Sequence, residues 1–195
     1  PTDERNLAVR AALAVFRHCA LKGGIRIELR KQIPEEAGLG GGSADAAAVL
    51  RGLRALFSLP LGDEALRELA LPLGADVPFC VSGGTMLAEG IGEVLSPLPP
   101  MPPCHLVIVK PPCGSSTKAV YAALSLKALR PWEQPDARLL ENALRGQNVT
   151  LLGASLQNAL EKPATELQPE TLPAIESTDN MEATWQVRET LRKKL

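Results

Sequence analysis

The residues best suited to chemistry lie between Pro34 and Ala48, which read Pro34-Glu35-Glu36-Ala37-Gly38-Leu39-Gly40-Gly41-Gly42-Ser43-Ala44-Asp45-Ala46-Ala47-Ala48. Four glycines within five positions run straight into Ser, Asp and alanine, the composition of a glycine loop feeding a helix N-terminus. The unpaired N–H groups of such a first turn, and the positive end of the helix dipole, attract anions and phosphate above all. Glycine is needed because several N–H groups converge on one phosphate only where φ is positive and no Cβ blocks the approach. Ser43 or Asp45 is expected to cap the helix, and the Ser43 hydroxyl could reach a phosphate or a bound Mg²⁺. Plain turn chemistry also places glycine before helices; the length of this run is what favours anion binding. A second candidate is Asp76, within Gly74-Ala75-Asp76-Val77-Pro78-Phe79-Cys80. A carboxylate wedged among small and apolar residues, stiffened by Val-Pro, needs a cationic or hydrogen-bonded neighbour. Taken alone, Asp76 also reads as a capping or turn residue.

The rest of the chain must position these groups. Its 195 residues are 45% hydrophobic, enough for one or two domains with a real core. With 21 basic against 22 acidic residues, nothing points to a nucleic-acid partner. No apolar run of 18 residues appears, so a soluble chain without a membrane partner is expected. Cys19, Cys80, Cys104 and Cys113 show no CxxC spacing, consistent with a reduced cytoplasmic protein without structural zinc.

In order, Thr2 or Asp3 is expected to cap a helix over about 4–20, with Leu7, Ala11, Val15 and Cys19 on one stripe and Gly23-Gly24 ending it. His18 in that helix has no second ligand in reach and is expected to be a helix surface residue. Alternation of Ile25, Ile27 and Leu29 with charged residues predicts a half-buried strand leading to the glycine loop. Ala46, Leu50, Leu53 and Phe57 predict one buried face of a helix over about 43–57. A further helix is expected from an Asp63 cap to about Leu71, and a hairpin of strands 85–89 and 93–95 around Gly90-Ile91-Gly92. Five prolines between Pro97 and Pro103 predict a stiff linker. Beyond it are expected a buried strand over 106–109, a helix capped at 115–117 and running to about Leu124, and one from the Asp136 cap to Gly146. A charged amphipathic helix is expected over 180–195, around Trp185. The Gly90-Ile91-Gly92-Glu93 run reads equally as a simple turn or as part of a site.

The glycine stretch is neither the Walker pattern, since no Lys-Ser or Lys-Thr follows it, nor the spaced dinucleotide fingerprint. It resembles the phosphate loop of the GHMP kinases, with Pro34, Gly38-Leu39-Gly40 and Ser43 matching position by position. With Gly-Ala-Asp-Val-Pro-Phe some thirty residues later, the pair resembles the 4-diphosphocytidyl-2-C-methyl-D-erythritol kinase family of the methylerythritol phosphate route to isoprenoids. Gly90-Ile91-Gly92-Glu93 and Asn158-Ala159-Leu160-Glu161 resemble the same family, with Ala159 in place of its acid.

The resemblance implies an α+β GHMP-kinase fold, with an incomplete ribosomal-protein-S5-like domain over 1–96, the linker at 97–103, and an incomplete ferredoxin-like domain over 104–195. It implies transfer of the γ-phosphoryl of ATP to the 2-hydroxyl of 4-CDP-2-C-methyl-D-erythritol, with Mg²⁺. Pro34, Ala37, Gly38, Leu39, Gly40, Gly41, Gly42, Ser43 and Ala44 would bind ATP, Asp76 would be the catalytic base, and Tyr121 would stack on the substrate's cytosine. Tyr121 reads as well as a ring packed in a domain interface. The family also has an N-terminal lysine that partners the aspartate, a Gly-Tyr-His element for the cytidine and a C-terminal Gly-Ser-Gly loop. None of these is found here, so the chain is expected to be the middle of such an enzyme. Other expectations stay open: a different GHMP kinase, a nucleotide-binding module without turnover, or an interaction protein using the stretch around Trp185.

Overall fold

In a computed structural model, the described residues are 2–34, 37–106, 108, 114, 116–124 and 136–171. They divide into two compact units, one of 2–34 and 40–97, the other of 37–39 and the described residues from 98 to 171.

The first unit is built on four helices. Helix α1 (Leu7–His18) buries Ala8, Ala11, Ala12 and Val15. Its cap is Asn6, whose Oδ1 accepts the Ala8 N–H at 3.0 Å, and not the predicted Thr2 or Asp3. The Asp3 carboxylate is taken by the Arg5 guanidinium at 2.7 Å, and the Asn6 N–H closes a turn on the Asp3 carbonyl at 2.9 Å, so the helix starts a turn late. It stops at His18, well before Gly23-Gly24, because the chain leaves helical space at Ala20, φ +49°. His18 is exposed, and no group of three or more His, Cys, Asp or Glu that could hold a metal occurs among the described residues. Cys19 and Cys104 are free thiols.

Helix α2 (Gly41–Leu56) lays Ala46, Ala47, Leu50 and Leu53 against α1; small alanines let the two backbones approach. Phe16 and Phe57 meet edge to face at 5.9 Å, where the two helices end. Helix α3 (Asp63–Ala70) adds Leu66 and Ala70, and a 3₁₀ turn at Leu71–Leu73 leads to α4 (Val77–Ser82), with Val77 and Val81 buried in the same core. The sequence reading missed α4. Its Pro78, read only as a stiffener, suits the first turn of a helix, where an N–H has no partner to lose.

The strand predicted around Ile25–Leu29 does not form. The only sheet among the described residues is a two-stranded hairpin, β1 (Met86–Glu89) and β2 (Val94–Pro97), antiparallel with Met86 opposite Pro97. Without a ladder partner the alternation sinks only Ile27 partway into the core, leaving Ile25 and Leu29 38% and 36% exposed. In the hairpin turn a Cβ on Gly90 would fall 2.5 Å from Glu93 Oε1, and Glu93 Oε2 accepts the Ile91 N–H at 2.7 Å. That explains the Gly-Ile-Gly-Glu run as turn chemistry.

Asp63 opens α3 as its first residue; Gly62 is the cap. Its carboxylate instead reaches across to Arg54 Nη1 at 2.6 Å, and that hydrogen bond holds its pKa below the ordinary 3.8. The folded state therefore binds this proton less tightly than the unfolded chain. The stabilisation is fully present above pH 3.8 and is lost as pH falls through the lowered folded value. Asp63→Asn is expected to lower the melting temperature slightly at pH 7, with the gap to wild type closing in acid below that range; paired melts across pH check it.

In the second unit, α5 (Thr117–Ala123) packs on α8 (Glu161–Leu167) through Val120, Leu160 and Ala164. Ser116 caps α5 by accepting the Ala119 N–H at 3.3 Å. Helices α6 (Ala137–Arg145) and α7 (Val149–Ala154) share Ala143, Leu144 and Leu152. Asp136 caps α6 and Gly146 ends it, as predicted. Helix α7 was not predicted, although Asn148 caps it through the Leu151 N–H at 2.9 Å. The buried strand expected over 106–109 is contradicted at two positions: Leu106 and Ile108 lie outside any strand and are 50% and 54% exposed. Val107, Val109, Cys113, Ser115 and the 180–195 helix lie outside the described residues.

Candidate active site

The glycine run ends in an unusual helix start. Gly38 and Gly40 adopt φ of +70° and +69°, and Gly40, fully left-handed at ψ 15°, occupies the N-cap position of α2. No side chain caps that helix. The first bond within it runs from the Ala44 N–H to the Gly40 carbonyl at 2.8 Å, so the N–H groups of Gly41, Gly42 and Ser43 have no acceptor inside the helix. This corrects the expected start near Ser43 and the expected capping by Ser43 or Asp45. Ser43 is the third helical residue and half-buried, and the Asp45 carboxylate turns instead to the Lys31 ammonium. A Cβ added to Gly41 would meet Ile33 Cγ2 at 3.1 Å and the Lys31 Nζ at 3.5 Å, so the chain entering the loop lies close over the first turn. Pro34 is exposed, Ala37 is buried, and Leu39 and Ala44 are half-buried.

Asp76 stands at the N-cap position of α4 with helical dihedrals, φ −89° and ψ −14°, and its side chain makes no capping hydrogen bond. The capping half of the alternative reading is thereby removed, while Asp76 does lie in the turn before α4, closed by the Val77 N–H on the Gly74 carbonyl at 3.0 Å. It is half-buried, and its carbonyl accepts the Cys80 N–H at 3.0 Å, which makes it the first rigid point of α4. Helix α4 packs on α2, and Arg51 of α2 donates from Nη1 to the carbonyls of Cys80 at 2.6 Å and Val81 at 3.1 Å. The uncapped start of α2 and Asp76 thus belong to one packed unit. Tyr121 belongs to the other, on α5, about 40% exposed. The Asn158–Glu161 run does lead into a helix: α8 starts at Glu161 without a side-chain cap, and the Asn158 Oδ1 accepts the Leu160 N–H at 3.0 Å.

Sequence reasoning missed Lys31 and Arg51. Lys31 stands three residues before Pro34, a position that signals nearness to the loop; Arg51 carries no such signal. Two left-handed glycines and three N–H groups free of intrahelical partners suit a polyphosphate, whose oxygens only accept. Among the side chains of the loop, the Ser43 hydroxyl, on the third residue of α2, has the chemistry that would suit Mg²⁺, an ion that retains water and takes few protein ligands.

Residues 6–84 match the family described as the GHMP kinases N terminal domain. The chain is 47% identical over 170 residues to the 4-diphosphocytidyl-2-C-methyl-D-erythritol kinase of Exiguobacterium sibiricum, covering 87% of this chain and 58% of that one. It is 46% identical to the kinase of that name from Carboxydothermus hydrogenoformans, covering 87% and 59%. It thus spans somewhat over half the length of the curated relatives it matches. A crystal structure of a 4-(cytidine 5'-diphospho)-2C-methyl-D-erythritol kinase superposes with a TM-score of 0.76 at 35% identity, over 98% of this chain and 68% of that one. Homoserine kinase from Cytophaga hutchinsonii shares the fold, with a TM-score of 0.67 at 23% identity, over 86% of this chain and 57% of that one. No helix among the described residues is long and apolar enough to cross a membrane. With helices predominating over one small hairpin among its described residues, the chain has the GHMP-kinase fold and belongs to the GHMP kinases, within their 4-diphosphocytidyl-2-C-methyl-D-erythritol kinase family.

Proposed function

We propose that this chain forms the nucleotide-binding and catalytic part of a cytoplasmic kinase that moves the γ-phosphoryl of ATP to the 2-hydroxyl of 4-CDP-2-C-methyl-D-erythritol. The observation that carries the reading is the start of α2, where Gly38 and Gly40 are left-handed and no side chain caps the helix end by a hydrogen bond. The acceptor is inferred from the names of the relatives. In this reading residues 1–96 form the ribosomal-protein-S5-like domain, 97–103 the linker and 104–195 a ferredoxin-like domain.

The N–H groups of Gly38 to Ser43, with Pro34, Ala37 and Ala44 shaping the loop, hold the triphosphate. Mg²⁺, when bound, supplies charge neutralisation on the phosphate oxygens. Asp76 accepts the proton of the 2-hydroxyl as its oxygen bonds to the γ-phosphorus; the bond to the bridging oxygen breaks and ADP leaves. Fixed N–H dipoles meet charge that spreads over the γ-oxygens in the transition state, without reorganising.

The test is a graft of this chain's matching residues into the Exiguobacterium kinase, supplied with γ-labelled ATP and three acceptors. Label is expected on the cytidyl substrate and not on mevalonate or homoserine. Transfer to either of the others, or to none while the intact relative remains active, would contradict the reading.

Tyr121 is the proposed platform for the cytosine. In the graft Tyr121→Phe is expected to be nearly neutral, whereas Tyr121→Ala loses about 1–3 kcal/mol of substrate binding, the usual worth of base stacking. Equal loss in both would assign the role to the hydroxyl, and no loss in either would leave Tyr121 as packing.

A further inference from the structure

We propose that Arg51 is a positioning residue that orients Asp76 by gripping the far end of α4 from the helix that carries the phosphate loop. The inference rests on the kinase reading above. Helix α4 has only six residues, and its buried side chains, Val77, Pro78 and Val81, set how deeply it sits. Apolar contact is non-directional, so it does little to fix the rotation of so short a helix. The Arg51 guanidinium does. Its Nη1 lies 2.6 Å from the Cys80 carbonyl and 3.1 Å from that of Val81, both in the last turn, where carbonyls lack helical donors. A cation there also faces the negative end of the helix dipole. The Asp76 carbonyl is tied to the Cys80 N–H at 3.0 Å, so a single helical turn links the gripped end to the carboxylate-bearing residue. Arg51 and Gly40 are joined through α2 itself, which makes α2 the common frame for the loop and for Asp76.

Arg54, three residues along α2, is the natural control. It also pairs at 2.6 Å, but with Asp63 at the start of α3.

In the graft, Arg51→Gln is expected to lower kcat about 10- to 100-fold, the cost of a small misplacement transmitted from outside the reacting groups, with KM for ATP unchanged. Arg51→Lys should recover part of it, and Arg54→Gln should keep kcat. In the 195-residue chain itself, Arg51→Gln should speed hydrogen exchange at the amides of Cys80 and Gly83, which close α4, and not at those of Leu50 and Leu53 in α2. An Arg51→Gln graft with the parent kcat, an equal kcat loss in Arg54→Gln, or unchanged exchange at Cys80 and Gly83 would each overturn the proposal. A graft insensitive to Asp76→Asn would instead take down the kinase reading, and with it the role of Arg51 in orientation.

Discussion

Asp76→Asn is expected to cut kcat by about 10² to 10⁴, the usual worth of a general base, with ATP and acceptor binding little changed. The amide keeps the size of the carboxylate but cannot take a proton. Because the Asp76 side chain makes no capping bond to α4, the substitution removes no helix cap, and the melting temperature is measured beside kcat. Loss of turnover with a preserved fold separates catalysis from architecture. A variant that melts normally and turns over at the parent rate would show that Asp76 is not the base.

Gly40→Val should abolish measurable ATP binding, a loss of at least about 10²-fold. Gly40 sits at φ +69°, which a β-branched residue avoids, so the loop must change shape to accept valine. The N–H groups of Gly41, Gly42 and Ser43 are then no longer aimed together, and losing two charge-assisted hydrogen bonds accounts for the magnitude. Gly52→Ala is the matched control in the same helix. A Cβ there meets nothing within 4 Å, so alanine should stabilise α2 and leave affinity intact. Titration of both variants with ATP, beside their melting curves, checks the pair. Unchanged affinity in Gly40→Val would remove the phosphate-loop assignment.

The features legible in the sequence were those fixed by neighbouring residues. A run of glycines demands positive φ, and the structure places Gly38 and Gly40 there. Asp136 and Gly146 bound α6 because caps act within one turn, and Gly90 and Gly92 make the hairpin for the same reason. Several of the misreadings have a longer-range cause, others a local one. Asp3 and Asp45 have the right chemistry for capping, but Arg5 and Lys31 claim their carboxylates, the second from fourteen residues away. Ile25, Ile27 and Leu29 alternate as a strand does, yet a strand needs a ladder partner that alternation cannot supply. Helix α4 was hidden because six residues are too few to show a period. Arg51 was invisible because its acceptors lie on another helix, 29 and 30 residues on.

Backbone amide spectra of the 195-residue chain during titration with ATP test the central claim most directly, because the proposed ligands are the N–H groups themselves. The account predicts saturable shifts concentrated at Gly38, Gly40, Gly41, Gly42 and Ser43, larger with ATP than with inorganic phosphate. Saturable ATP binding that leaves these five amides unmoved, or no binding at all, would contradict it.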